Sequence, residues 1–600
     1  MGGGVKRAVN FDALRQLLGD NAVDNSSETY EFRWVGKDAA KAEAARPTDK
    51  TLRPVLGDSE DWDTTKNLYI EGDNLEVLKL LQRSYMGKVK MIYIDPPYNT
   101  GNDFVYHDDF AMSSDEYEEA SGATDELGNK YFKNTETSGR FHSDWCNMIY
   151  PRLMVARSLL AEDGVIFISI DDNEVENLRK ICDEVWGINN FISTIIWEKK
   201  YTISNDAKYF SDNHDYILCY AKNKASFNIG KLPRTEQMNS AYKNPDNHPK
   251  GLWKSTPLHA KSGSASSANF TYTFKNGVTF TPPTGCYARY SEETLRKMDE
   301  NNEIWFGKDG TSIPSKKTFL CDLKNEGVVP RTIIPYTEGG HNHEADEELK
   351  RLMGKKVFQN PKPTKLLHLL LTIGNVYDES IVLDFFSGSS TTAQAVMQLN
   401  AKDFGSRQFI MVQIPEETPD DSEARNDGYN NICELAKERI RRAAAKIKEE
   451  HPLTTQDLDT GFRVFRLDDS NFNPGVKASP GEYNQQQLDL FANNIKTDRT
   501  DLDLLFGAIL AWGLQLDMPM ETEEVDGCKI YTVNDGDLVA CFAEKVTDRV
   551  IEAMAEKEPL RVLFRDSCFD SDDKKINLFE TFKQKLDWTD DEAFNNIRVI

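Results

Sequence analysis

At 600 residues, 39% hydrophobic and 28% charged with a formal net charge of −26, the chain can fill several folded domains and is too acidic to be one continuous basic nucleic-acid surface. No apolar run approaches the ~18 residues that span a bilayer. The N-terminus MGGGVKRAVNF lacks the apolar segment of a signal peptide, and the nine cysteines form no C-x-x-C pair, which argues against a zinc ribbon and for a reducing cytoplasm.

Residues 1–60 read as an arm that begins with an amphipathic helix through Leu14, Leu17 and Leu18. Asn67–Ile70 is a short strand. Asp73 follows it, and can either cap the helix marked by Leu75, Val77, Leu78 and Leu81 or touch a cofactor at the strand's end. Val89–Ile94 is an apolar, β-branched and aromatic run, and Asp95-Pro96-Pro97 stops it, because proline fixes φ and offers no N–H to a ladder. Tyr98 and the turn Asn99-Thr100-Gly101 come next. The loop Asp103–Ser143 is long enough to be a lid, and His107-Asp108-Asp109 within it reads as solvated rather than metal-binding. Tyr150–Leu160 is a helix, and Gly164–Ile170 is a buried strand ending at Asp171-Asp172. Thr194–Trp197 and Tyr216–Tyr220 suit the last strands of this half, with a hairpin at one sheet edge.

From Lys199 to Arg351 the pattern changes to short aromatic segments broken by Gly, Pro, Ser and Asn. Residues 191–290 hold 13 basic and 6 acidic side chains, whereas 451–600 hold 16 basic and 30 acidic. The basic middle suits DNA reading, and an ordinary β-rich domain has the same look. His341-Asn342-His343-Glu344 reads as an acidic loop, so no metal site is expected. The strand–helix pattern resumes with Asn360-Pro361-Lys362-Pro363-Thr364 before a Leu-rich helix. The strand Ile381–Leu383 ends at Asp384, and Phe385-Phe386-Ser387-Gly388-Ser389-Ser390-Thr391-Thr392 turns into the helix Ala393–Leu399. Such a turn lets a ligand approach the backbone. Gln408–Ile414 is another strand, and Ile432–Glu449 is a helix whose basic residues Lys437, Arg439, Arg441, Arg442, Lys446 and Lys448 read as a solvated face. No G-x-x-x-x-G-K-[ST] occurs, which argues against nucleotide hydrolysis. An acidic α/β domain with apolar segments at Leu504–Leu516 and Leu560–Phe564 ends the chain.

Asp95, the Pro96 carbonyl and the Tyr98 ring suit one chemical problem. An exocyclic amino group on a nucleobase is a poor nucleophile until acceptors engage both its N–H bonds, and a base flipped out of a duplex needs a ring to stack on, worth about 1–3 kcal/mol. With DPPY at Asp95–Tyr98 and FSGSSTT at Phe386–Thr392 either side of a basic middle, the chain resembles DNA adenine-N6 methyltransferases of the β order, in which the catalytic motif comes first. The longer segments DPPYNTGNDFVYHDDF, DGVIFISIDDNE, NPKPTKLLHLL, LDFFSGSSTTAQAVMQLN and ICELAKERIRRA are similar to the Mod subunit of type III restriction-modification systems.

The resemblance implies an α/β fold, a permuted Rossmann-like sheet for S-adenosylmethionine-dependent methyl transfer, with an inserted target-recognition domain and a small α/β C-terminal domain. The expected intervals are 1–60 (arm), 61–198 (catalytic half), 199–351 (target recognition), 352–450 (cofactor half) and 451–600 (dimerisation or partner docking). Carried over, Asp95, Pro96, Pro97 and Tyr98 are catalytic. Asp73, Asp95, Lys362, Thr364, Asp384, Phe386, Gly388, Ser389 and Gln413 bind the cofactor. Ser390 stands where relatives carry glycine, and Gln413 where many present an acid to the ribose, so ribose recognition falls to Gln413 or Glu416. The implied partners are double-stranded DNA with a flipped adenine, a second copy of the chain and a helicase-nuclease (Res) subunit. A solitary methyltransferase without a restriction partner is the alternative.

Overall fold

The computed structural model describes residues 31–600 apart from 102–103, 107–122, 125–129, 134–139, 205–206, 324–326, 474–493 and 570–571. The helix expected around Leu14–Leu18, the triplet His107-Asp108-Asp109 and much of the loop around them lie outside the described residues.

The apolar runs assemble into one ten-stranded sheet. Its strands are β1 (Thr51–Pro54), β2 (Leu68–Glu71), β3 (Val89–Ile94), β4 (Leu160–Ile170), β5 (Phe191–Glu198), β6 (His214–Ala221), β7 (Ile333–Ile334), β8 (Ile381–Asp384), β9 (Gln408–Gln413) and β10 (Arg463–Asp468). They lie in the order β1-β10-β2-β9-β8-β3-β4-β6-β5-β7. The strands from β10 to β4 run parallel, β6 is antiparallel to both β4 and β5, and β1 closes the far edge antiparallel to β10. This is the α/β, Rossmann-like sheet that the sequence leads one to expect.

Parallel strands buried on both faces read as continuous apolar runs, and alternate residues feed two cores. Ile92, Ile94 and Leu383 point to one core, with Leu75, Trp145 and Leu153 from the helices α1 (Asn74–Tyr85) and α2 (Phe141–Leu159). Met91, Tyr93 and Val382 point to the other, with Leu366, Val396 and Ile440 from α3 (Thr364–Ile373), α4 (Thr391–Asp403) and α5 (Ile432–Glu450).

The permutation is visible in the order. The chain lays down β2, β3 and β4, leaves the sheet, and returns to slot β8 and β9 between β2 and β3. The C-terminal ends of β3 and β8, which carry the two motifs, therefore stand side by side, where open α/β sheets bind ligands.

Between β6 and β7 lies a small antiparallel sheet of Trp253–Pro257, Ser315–Phe319 and Ile304–Trp305, and beside it a core that includes Leu258, Phe274, Phe280 and Leu295. The hairpin of β5 and β6 joins the main sheet, although Lys199 marks where the sequence pattern changes. β1 and β10 likewise reach the sheet from outside the 61–450 interval. Near the C-terminus a five-stranded sheet turns one face to a core of its own, through Ile530, Val539 and Val562, and the other, through Val533, Leu538 and Leu563, to the core that α1 and α2 share, and the helix Asp501–Trp512 packs against α1 and β1. No described helix is long and apolar enough to cross a membrane.

Candidate active site

β3 ends at Ile94, and the Asp95-Pro96-Pro97-Tyr98 turn is pinned from three sides. Trp145 Nε1 donates to the Pro97 carbonyl at 2.7 Å. Asn99 adopts φ 59° and donates through Nδ2 to Glu174 Oε1 at 2.6 Å, and the Glu174 side chain is fully buried. The Tyr98 hydroxyl donates to Asp215 Oδ2 at 3.4 Å, while Asp215 Oδ1 accepts from Lys199 Nζ at 2.6 Å. Burial and the charges of Asp95 and Asp215 push the Tyr98 phenol up, so the ring stays neutral.

Two acceptors at the head of the turn, one side-chain and one backbone, have no partner. Among the described residues the Pro96 carbonyl accepts no hydrogen bond, and Asp95 Oδ1 is buried without a partner. Asp95 Oδ2 is engaged by Lys362 Nζ at 2.8 Å. A buried, unsatisfied carboxylate oxygen costs stability and marks a place where a donor belongs.

Beside it, β8 ends at Asp384, whose carboxyl burial pushes up to about 7 against the opposing bonds from the Thr392 hydroxyl at 2.6 Å and the Phe386 N–H at 3.1 Å. Gly388, at φ 50°, donates its N–H to Gln413 Oε1 at 2.8 Å and ties this turn to the end of β9. Ser390 does not open the turn: it takes the left-handed conformation itself, φ 60°, and donates its N–H to Ser387 O at 2.7 Å. The cost of the missing glycine falls on backbone strain of about 1 kcal/mol and a buried Ser390 hydroxyl without a partner.

A cavity of about 600 Å³ joins the two turns, large enough for a cofactor and part of a substrate. Asp95, Pro96, Pro97, Tyr98, Lys362, Phe386, Gly388 and Gln413 all line it. The other expected residues are used inside the fold. Asp73 caps α1 through Leu75 N and Glu76 N and pairs with the fully buried Arg152 at 2.8 Å. Thr364 donates to Glu348 Oε1 at 2.7 Å, and Ser389 Oγ is held by Arg439 at 2.7 Å. Sequence reading missed Asp171 and Asp215. Asp171 ends β4 as a cavity carboxylate that burial pushes up to about 6. Its place at a strand end was a usable signal; Asp215, at the start of β6, offered none.

The helix α5 departs from its expected role. Lys437 is buried against Glu71 at 2.6 Å, and Arg439, 1% exposed, lies beneath the Ser389–Thr391 turn. Its basic residues are split between structure and solvent, because apolar spacing marks only where carbon is buried. His341 also has a local role, since its Nδ1 accepts from Glu344 N to cap the helix Asn342–Met353.

A DNA methylase family profile matches residues 89–446. The chain is 37% identical over 497 residues to the Mod subunit of the type III restriction-modification enzyme StyLTI of Salmonella typhimurium, covering 80% of this chain and 71% of that one. It is 33% identical over 599 residues to the EcoPI Mod subunit of Escherichia phage P1, covering 93% and 90%. The chain belongs to the type III Mod family of DNA methylases. Among solved structures, this Mod-family methylase overlaps the PvuII DNA methyltransferase (cytosine-N4-specific) at 13% identity and a TM-score of 0.30, over 65% of this chain and 93% of that one.

Proposed function

We propose that this Mod-family methylase transfers a methyl group from S-adenosylmethionine to N6 of an adenine flipped out of duplex DNA, acting as the modification and sequence-recognition subunit of a type III restriction system. The observation that carries the reading is the pair of open acceptors, Asp95 Oδ1 and the Pro96 carbonyl, on a turn held at Pro97, Tyr98 and Asn99. Together they accept the two N–H bonds of the amine, localise its lone pair and leave Asp95 Oδ1 placed to take the proton that the nitrogen sheds. Tyr98 offers the stacking face.

The residues of the cavity fit S-adenosylmethionine. The ligand carries two cationic groups, a ribose diol and an adenine ring, and the wall supplies the carboxyl groups Asp171 and Glu416, apolar Phe386 and Ile414, and the Gly388 backbone, where only Phe358 Cζ stands within 4 Å of an added Cβ. When bound it supplies an electrophilic methyl group. The Gln413 amide already accepts from Gly388 N–H and donates to the Ile414 carbonyl, which turns it toward the protein, and we assign ribose recognition to Glu416. Burial pushes the Glu416 carboxyl up, and no described group bonds it. Charged hydrogen bonds are worth about 1.5–3 kcal/mol, so Glu416→Gln is expected to weaken S-adenosylmethionine binding about tenfold or more, measured by equilibrium dialysis. An unchanged affinity would place the ribose elsewhere.

Target reading is assigned to the basic middle region around the Trp253–Pro257 sheet, and the acidic C-terminal domain to a second copy of the chain and a helicase-nuclease partner. The test is to incubate the purified chain with DNA and S-adenosylmethionine and to identify the modified nucleoside by mass spectrometry. N6-methyladenine, with no strand cleavage even when ATP and Mg²⁺ are added, is the expected result. N4-methylcytosine would refute the adenine assignment. A chain that methylates but captures no helicase-nuclease in its host would be a solitary enzyme.

A further inference from the structure

Lys362 is the side chain whose place in the cavity the expected cofactor role does not explain. Its ammonium lies 2.8 Å from Asp95 Oδ2, 5.0 Å from the Tyr98 ring centroid and 5.9 Å from that of Trp197. The side chain is 11% exposed, so it has given up most of its water for these contacts. The backbone that presents it is stiff: Pro361 and Pro363 flank it, Pro363 caps α3, and Asn360 turns through φ 51°. A lysine held this way is not a drifting counterion.

The surroundings of Asp95 are otherwise poor in positive charge. Tyr93 and Tyr98 face it from its own strand and turn, and Asp384 faces it from β8. Asp215 from β6 and Asp171 from the end of β4 share the cavity, Lys199, just past β5, is spent on Asp215, and Lys200 also lines the cavity without pairing with Asp95. Only Lys362 among the described cations pairs with Asp95.

We propose that Lys362 is a positioning residue: by binding Asp95 Oδ2 it fixes the rotation of the carboxylate and supplies its countercharge, reserving Oδ1 for the amino group of the target base. A neutral carboxylic acid at Asp95 would offer a donor where the amine needs an acceptor, and a carboxylate free to rotate would share both oxygens between water and substrate. The inference rests on the methyl-transfer reading above and adds a division of labour between the two oxygens.

The test compares wild type, Lys362→Gln and Lys362→Arg. Lys362 is the described cation that pairs with Asp95, so Lys362→Gln is expected to free the carboxylate to rotate and to lose the fixed presentation of Oδ1. At neutral pH kcat is expected to fall about tenfold or more in Lys362→Gln, with Lys362→Arg restoring most of it. S-adenosylmethionine affinity, read by equilibrium dialysis without turnover, is expected to stay within about threefold of wild type. An unchanged kcat in Lys362→Gln overturns the proposal, and so does a loss of cofactor affinity that tracks the loss of kcat, which would return Lys362 to cofactor binding. A readout independent of turnover separates this inference from the methyl-transfer reading. The infrared difference between each protein and its Asp95→Asn counterpart is expected to place the Asp95 carboxylate stretch at a different frequency in wild type and in Lys362→Gln, because one oxygen loses its ammonium partner. The same band in both overturns the Lys362 role whatever reaction is catalysed, whereas absence of any methylation by wild type overturns only the reaction.

Discussion

Asp95→Ala is expected to lower kcat by at least about a hundredfold while S-adenosylmethionine and DNA still bind. The substitution removes Oδ1, the buried acceptor without a partner, and leaves the Pro96 carbonyl without the second acceptor that the amine needs. One preorganised group aimed at developing charge contributes about 2.7–4 kcal/mol, and the fold of the turn does not depend on this side chain. Trp145, Asn99 and Glu174 hold the turn through other atoms, and the Gly388 and Glu416 side of the cavity is untouched. Single-turnover methylation with labelled cofactor, alongside binding isotherms for both ligands, checks this. Turnover within a few-fold of wild type would end the acceptor mechanism, because no other described carboxylate shares the turn.

What the sequence made legible were the features that a parallel sheet writes locally. The runs at β3 and β8 are buried on both faces, so they read as unbroken apolar segments, and each ends in an aspartate because the chain leaves the sheet there. Adjacency of the two ends came from the resemblance and not from either run. The readings that changed depend on partners far away in sequence. Asp73 is as good a helix cap as a cofactor contact until Arg152 is seen against it. Lys362 and Asp95 are joined across 267 positions by the interleaving of β8 and β9 between β2 and β3. The middle region was the least legible, since strands of two to five residues leave too little periodicity to distinguish a DNA-reading surface from any small β-rich domain.

The largest stability effect is expected at Arg439, on the helix whose basic residues looked solvated. Its guanidinium, 1% exposed, donates to Ser389 Oγ and Thr391 Oγ1 at 2.7 Å each, to Gln394 Oε1 at 3.0 Å and to the Ser389 carbonyl at 3.4 Å. Burial lowers its pKa to about 10, which still leaves it charged at neutral pH. Arg439→Met keeps the volume and removes every donor, so several buried oxygens lose a partner at roughly 1–3 kcal/mol each, and the unfolding free energy is expected to drop by about 3 kcal/mol or more. Because those oxygens belong to the turn that shapes the cavity at Gly388, S-adenosylmethionine affinity is expected to fall with it. Lys437→Met is the control from the same helix. It breaks a buried pair with Glu71, away from the turn, and is expected to destabilise the fold while sparing cofactor affinity in the protein that remains folded. Arg439→Lys is expected to recover only part of either loss, since one ammonium cannot reach acceptors arranged around a planar fork. Equal loss of cofactor affinity in the Arg439 and Lys437 variants would reduce Arg439 to a general support of the core and leave the geometry of the turn to Gly388 and Gln413.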